Sequence, residues 1–284
     1  MTASMSTSEA TRAGATRKKV TVPEMAVMRS EGRRISMITA YDTTFARLVD
    51  LGGVDLILVG DSVATVVQGQ ANTIPVELSE MEYHVRLVAR ARPKAMVIGD
   101  LPFGSYQVSP QQAVESSVRL LKAGAEAVKL EGGVSIADTI AAITRVDIPV
   151  MGHIGLTPQS YHRMGGNKIQ GRQSGFEAGN RERLIEDAHA VEQAGAFAVV
   201  LEGIPLDLAA EITRKISIPT IGIGAGVDCD GQVLVLHDVL GLSECTYKFA
   251  KRYADLRGTI IAATEAFVAE VREGIWPDDA HSFS

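Results

Sequence analysis

Several residue types able to do acid–base or metal chemistry stand just past short apolar runs. Asp61 follows Leu56-Ile-Leu-Val-Gly60, Asp100 follows Met96-Val-Ile-Gly99, and Glu131 closes Ala127-Val-Lys-Leu-Glu131. His153 follows Val150-Met-Gly152, and Glu202 ends Ala198-Val-Val-Leu201. Carboxylates gathered at one place repel unless a cation sits among them. Oxygen donors without cysteine, and with few histidines nearby, suit a hard octahedral ion, Mg²⁺ ahead of Zn²⁺. Asp61 or Asp100 taken alone fits a cap on the following helix equally well; the pair together with Glu131 favours a metal site. Lys129 and Glu131 are two apart, so in a strand both side chains share a face. His153 is open to two readings, a satisfied strand histidine or a member of the site. The Gly222–Gly226 run fits either an anion-binding backbone or a tight left-handed turn.

The elements that would bring these residues together read as strands. Eight runs have strand character: Ile35–Tyr41, Asp55–Gly60, Ala95–Leu101, Ala127–Glu131, Ile148–Ile154, Ala196–Glu202, Ile218–Gly224 and Val233–Val239. They are dense in Val, Ile, Leu and Ala instead of alternating strictly, as strands buried on both faces are, which predicts a parallel sheet. Helical periods separate most of them. Thr21-Val-Pro-Glu24 opens an N-terminal helix through Met28, and Ser79-Glu-Met-Glu82 and Ser109-Pro-Gln-Gln112 read as capping boxes. Helical patterns also fit Val134–Arg145, Asn180–Gln193, Leu206–Ile216 and a last helix from Leu256 to Glu273 stopped by Gly274 and Pro277. Eight strand–helix units in this length predict an α/β fold, a single (β/α)8 TIM barrel with an N-terminal helix and a long loop after the fifth strand. The barrel places its active site at the C-terminal ends of the strands, where Asp61, Asp100, Glu131, His153 and Glu202 stand.

Composition narrows the rest. The chain has 284 residues, 46% hydrophobic and 22% charged, which excludes wholesale disorder. Lys+Arg 28 against Asp+Glu 34 leaves a net charge of −6, without the basic footprint that nucleic-acid binding needs. No apolar run reaches the ~18 residues of a membrane span. Cys229 and Cys245 make neither a disulfide framework nor a thiolate zinc site and suit a reducing cytoplasm. Residues 1–19, rich in Ser, Thr and Ala, read as a disordered tail, and residues 20–284 as the catalytic barrel domain. The stretch Tyr161–Arg172, Gly-rich and basic, lies in the long connection after the fifth strand and reads either as a lid or substrate clamp over the barrel mouth or as a flexible surface excursion without a role.

Gly60-Asp-Ser62, Gly99-Asp-Leu-Pro-Phe-Gly-Ser-Tyr106, Val128-Lys-Leu-Glu-Gly-Gly133, Met151-Gly-His-Ile-Gly-Leu-Thr-Pro-Gln159, Leu201-Glu-Gly203 and Pro219-Thr-Ile-Gly-Ile-Gly-Ala-Gly226 resemble the ketopantoate hydroxymethyltransferase family over residues 20–275. The resemblance implies transfer of a hydroxymethyl group from 5,10-methylenetetrahydrofolate to 3-methyl-2-oxobutanoate, with Mg²⁺ as cofactor. It also implies a cytoplasmic homo-oligomer, a decamer in the family's common form, and kinship with the phosphoenolpyruvate/pyruvate barrels. Carried over residue by residue, it makes Asp61 and Asp100 metal ligands, with Glu131 the third acidic residue of the metal site, direct or through water. Asp61, Ser62, Asp100 and Lys129 would hold the keto acid, His153 would lie near it, and Glu202 would be the proton acceptor. Two other readings remain: a carbon–carbon lyase of the isocitrate lyase type, and a non-catalytic anion-binding barrel. The first lacks its Cys-Gly-His acid loop, since Cys229 precedes Asp230 and Cys245 precedes Thr246.

Overall fold

A computed structural model describes residues 17–244 and 247–283. Eight parallel strands close into a barrel in sequence order: β1 Ile35–Thr39, β2 Leu56–Val59, β3 Met96–Asp100, β4 Ala127–Glu131, β5 Val150–Gly155, β6 Ala198–Glu202, β7 Thr220–Ile223 and β8 Gly231–Leu234. Outer helices connect most of them. They include α1 Val22–Ser30 before β1, α2 Thr43–Leu51 after it, and α3 Val63–Val66 with α4 Leu78–Ala89 after β2. Further along come α5 Pro110–Ala123, α6 Ala137–Thr144, α7 Tyr161–Met164, α8 Arg181–Gln193 and α9 Leu206–Lys215. This is the expected (β/α)8 barrel. The seven residues between β7 and β8 carry no helix.

The strands alternate between two apolar environments, as a pleat of period two requires. Leu56 and Leu58 of β2, Met96 and Ile98 of β3, Ala127 of β4, Met151 of β5 and Ala198 with Val200 of β6 belong to one buried cluster, the barrel interior. Ile57, Val59, Val97, Val128, Leu130, Val150, Val199 and Leu201 belong to the other, between strands and helices. The interior cluster also takes in Val20, Met25 and Met28, so α1 and the segment before it join the inner core. Asp100, Lys129, Glu131, His153 and Glu202 all continue the inward parity of their strands, two or four residues beyond an interior apolar side chain. Gly152 marks the opposite parity. A Cβ there would lie 2.4 Å from Val191 of α8, so the bare backbone lets α8 lie against β5.

Local details depart from expectation in four places. The eighth strand is Gly231–Leu234, not Val233–Val239; Leu236–Val239 is a short helix, α10, so His237 and Asp238 are helical and do not end a strand. The capping box of α4 is made by Glu77 and Glu80 instead of Ser79 and Glu82. Glu82 pairs with Arg119 and Arg86. Thr21 occupies the N-cap of α1 without a side-chain bond, and Glu24 pairs with Arg33 at 2.7 Å. Order also begins before Thr21. Arg17 donates to Asp50 at 2.9 Å and to the Val54 carbonyl, and Lys19 meets Glu126 at 2.5 Å. Residues 1–16 of the tail lie outside the described residues.

The chain divides into two compact units, the first ending at Val235 and the second running from Leu236. The second contains α10 and α11, Leu256–Glu273, whose limits and Gly274 cap match expectation. None of the residues of α11 is buried, and Ile260, Ile261, Phe267 and Val271 are about half exposed. No described helix is long and apolar enough to cross a membrane.

Candidate active site

The register of neighbouring strands decides which inward side chains meet. Asp100 at the end of β3 is the Cα partner of Lys129 on β4, and Lys129 Nζ lies 2.8 Å from Asp100 Oδ1 with both side chains buried. Glu131 on β4 is in turn the partner of His153 on β5, and His153 Nδ1 lies 3.4 Å from Glu131 Oε1. Val200 is the β6 partner of His153, and Glu202 stands two residues further on the same face. His153 Nε2 reaches Glu202 Oε2 at 3.2 Å. Lys129 Nζ also lies 3.4 Å from His153 Nδ1. Asp61 follows β2, and its backbone N–H donates to Asp100 Oδ2 at 3.2 Å. Asp61, Asp100, Lys129, Glu131, His153 and Glu202 therefore form one continuous set of contacts at the C-terminal ends of five adjacent strands.

Neither aspartate spends its side chain on a helix cap. Asp100 faces Lys129 and the Asp61 N–H, while Asp61 Oδ2 accepts from Gln159 Nε2 at 3.0 Å. Ser62 sits at the N-cap of α3 but makes no capping bond. Its hydroxyl shares a 2.8 Å hydrogen bond with Tyr41 Oη. Glu202 is the least buried of the set, with 18% of its side chain exposed against 4% for His153.

Burial and like charge act strongly here. Burial, then the carboxylates of Asp100 and Glu131, push Asp61 well above the ordinary range, against Lys129 and the Gln159 amide. Burial also raises Asp100, though Lys129 holds it back. Burial pulls Lys129 down, but Asp100, Glu131 and Asp61 outweigh it, so its ammonium is held more firmly than usual. Burial and Lys129 likewise pull His153 down, while hydrogen bonds to Glu131 and Glu202 raise it on balance to about 9. The two carboxylates thus favour the imidazolium form of His153.

Among the described residues no three His, Cys, Asp or Glu side chains are gathered into a ready-made metal cage. The donors nonetheless suit a hard divalent ion. Asp61 and Asp100 adjoin one another, buried and mutually repelling, and Mg²⁺ is commonly held by one or two carboxylates with water and substrate oxygens completing the octahedron. Glu131 Oε2 accepts from the Gln159 N–H at 3.0 Å, while Oε1 is buried without a hydrogen-bond partner, 3.4 Å from His153 Nδ1.

Other candidates fall outside this set. Gly224 and Gly226 have φ of +61° and +86°, which meets the tight-turn account of that run. Cys229 is buried next to Asp230, which bonds to the first residue of β7, at the opposite end of the barrel. Cys245 lies outside the described residues. The connection after β5 passes close to Glu202. Leu156 N–H donates to the Glu202 carbonyl at 2.8 Å, and Gln170 N–H to the Gly203 carbonyl at 3.0 Å. Gly155 permits this passage, because a Cβ there would lie 2.3 Å from the Glu202 carbonyl oxygen and its φ is +96°.

Sequence reasoning passed over Tyr41, Tyr106 and Gln159. The last two lay inside motifs already singled out, yet a buried tyrosine and a loop glutamine carry no signature of their own. Tyr106 Oη lies 2.8 Å from Gln159 Oε1 and 3.1 Å from the Glu131 backbone N.

Residues 19–279 match the family model described as ketopantoate hydroxymethyltransferase. The 3-methyl-2-oxobutanoate hydroxymethyltransferase of Trichlorobacter lovleyi is 58% identical over 270 residues, 94% of this chain and 100% of that protein. The enzyme of the same name from Pelobacter propionicus is 57% identical over 94% of this chain and 98% of its own. Among solved structures, phosphonopyruvate hydrolase in complex with oxalate and Mg²⁺ superposes with a TM-score of 0.61 at 15% identity, covering 93% of this chain and 92% of that one. A 2,3-dimethylmalate lyase of the PEP mutase/isocitrate lyase superfamily gives 0.58 at 17% identity, covering 92% and 91%. These two likenesses concern the fold.

Proposed function

The chain belongs to the ketopantoate hydroxymethyltransferase family, and from that premise we propose that it transfers a hydroxymethyl group from 5,10-methylenetetrahydrofolate to 3-methyl-2-oxobutanoate. The product, 2-dehydropantoate, leads into pantothenate biosynthesis. The observation that carries this reading is the division of labour among the acids. Asp61 and Asp100 lie together with Lys129, while Glu202 stands apart across His153. One group suits cation and keto-acid binding, the other proton removal.

Asp61 and Asp100 would hold Mg²⁺, with Glu131, whose Oε2 accepts from the Gln159 N–H, adding a third acid directly or through water. When bound, the cation supplies Lewis-acid polarisation of the keto oxygen. The Lys129 ammonium faces the substrate carboxylate, and the Ser62 hydroxyl, turned by Tyr41, donates to the same molecule. Glu202 takes the C3 proton; the C–H electron pair becomes the C2–C3 double bond as the C2=O π pair moves onto the keto oxygen, and the proton comes to rest on Glu202 Oε2. The His153 imidazolium, 3.2 Å from that oxygen, orients the carboxylate and keeps its second nitrogen toward Glu131. The enolate carbon then bonds to the one-carbon unit as its two C–N bonds to the folate break; one water supplies the hydroxyl oxygen, and the folate nitrogens take two protons and leave as tetrahydrofolate. The segment from Leu156 to Gln170 is tied to the backbone beside Glu202 and so borders the site of this step.

The lyase alternative needs an acidic cysteine at the mouth. Cys229 lies buried at the other end, with burial pushing its thiol up to about 11. Cytoplasmic residence and homo-oligomerisation complete the reading. The exposed apolar positions of α11, Ile260, Ile261, Phe267 and Val271, favour assembly with further copies. The test of function is direct: purified protein with Mg²⁺ should consume 3-methyl-2-oxobutanoate only when methylenetetrahydrofolate is present. Consumption without the folate, or none with it, would overturn the assignment.

A further inference from the structure

We infer that Gln159 is a positioning residue that holds the Asp61 and Glu131 carboxylates in the orientation the cation requires. This rests on the metal reading of Asp61 and Asp100 given above. Gln159 follows β5 in the short 3-10 turn Pro158–Ser160, and it is buried. Its amide nitrogen donates to Asp61 Oδ2 at 3.0 Å and to the Leu101 carbonyl at 2.9 Å. Its backbone N–H donates to Glu131 Oε2 at 3.0 Å. One residue thus fixes an oxygen on each of two acids that belong to different strands.

The amide has one allowed orientation. Both partners of Nε2, a carboxylate and a carbonyl, only accept. On the other side Gln107 Nε2 donates to Oε1 at 3.2 Å, and Tyr106 Oη, 2.8 Å from Oε1, donates either to it or to the Glu131 carbonyl at 3.1 Å. Gln107 is itself oriented, since its Oε1 accepts from the Gly104 N–H at 2.7 Å. Flipping Gln159 would set oxygen against the Asp61 carboxylate and the Leu101 carbonyl and nitrogen against the Gln107 amide nitrogen, leaving buried groups without partners. With the amide so locked, Oδ2 of Asp61 is tied and the carboxylate cannot rotate freely. Outer partners that orient ligating carboxylates typically govern metal affinity by about 10–100-fold.

Gln159→Met keeps the length of the side chain and removes every polar atom of its amide. Mg²⁺ binding is titrated calorimetrically in the whole protein without substrates, alongside wild type and Asp61→Asn, and the metal-free thermal midpoint of each is recorded. The expected result is weakening of Mg²⁺ binding by about 10–100-fold in Gln159→Met. A merely structural glutamine would lower the midpoint and leave the affinity of the folded protein unchanged; that result overturns the inference. If Asp61→Asn also leaves the affinity unchanged, the metal reading itself falls and takes the inference with it. Should Gln159→Met fail to fold, Tyr106→Phe removes the hydroxyl beside Oε1, and the same titration decides: weaker binding supports the role, unaltered binding refutes it.

Discussion

His153 Nε2 lies 3.2 Å from Glu202 Oε2, and the other ring nitrogen faces Glu131 at 3.4 Å. One imidazole therefore joins the isolated acid to the acid cluster. Its position follows from two registers, Glu131 opposite His153 and His153 opposite Val200, with Glu202 one pleat further along.

This pairing has a pH signature. His153 titrates at about 9 in the fold against 6.5 for an unperturbed histidine. A folded-state value above the unfolded one contributes stability that is complete below about pH 6.5 and is lost as pH rises through about 9. In metal-free protein, NMR of ring-labelled histidine should show His153 protonated at neutral pH. Denaturation midpoints of wild type should fall between pH 7 and 9 more steeply than those of His153→Gln. A ring already neutral at pH 7 contradicts the geometry.

Asp61 predicts a conflict between stability and metal binding. Burial and two neighbouring carboxylates raise its pKa well above 3.8, so ionising it in the fold costs stability, and the cost grows as pH rises beyond the unfolded value. Asp61→Asn should therefore raise the thermal midpoint of the metal-free protein at neutral pH while abolishing the further rise that Mg²⁺ gives wild type. Asp100→Asn should behave differently, because it removes the partner that Lys129 meets at 2.8 Å and leaves a buried ammonium less well paired. Midpoints that fall equally in the two variants would contradict this asymmetry.

Much of this site was legible before the fold was known, and the reason is periodicity. Lys129 and Glu131 share parity with Ala127, and Asp100 with Met96 and Ile98, so a period of two already put them on one side of their strands. The pairing of Asp100 with Lys129 was not legible, because register between strands is a property of the closed barrel. Gln159 escaped notice because its partners come from three separate strand ends. The eighth strand was misplaced for a local reason. Val233-Leu-Val-Leu236 runs apolar without a break from β8 into α10, so composition marks no boundary between them.

Helix α11 supplies a test of assembly. Ile260, Phe267 and Val271 are about half exposed on a helix with no buried residue. Light scattering should give a mass of several chains at micromolar concentration. Phe267→Asp, which puts a charge into that apolar set, should shift the mass downward while leaving the far-ultraviolet circular dichroism unchanged. A monomer in the wild-type protein would contradict the expected homo-oligomer.

The sharpest test separates binding from proton abstraction. Glu202 contacts His153 but neither aspartate, and it is the most exposed acid of the site. If it is the base, Glu202→Gln should still bind the keto acid with Mg²⁺, since Asp61, Ser62, Asp100 and Lys129 are untouched. It should fail at enolisation, a step that needs no folate. In heavy water with Mg²⁺ and without folate, wild type should exchange the C3 proton of 3-methyl-2-oxobutanoate for deuterium. The variant should exchange more slowly by about 10²–10⁴-fold, the usual contribution of a positioned base. Proton NMR of the C3 position follows this exchange, and calorimetry with the keto acid reports binding in the same samples. Equal exchange in both proteins would move the base elsewhere. Loss of keto-acid binding together with exchange would make Glu202 a binding residue, and the imidazolium of His153 would then be serving the substrate and not the base.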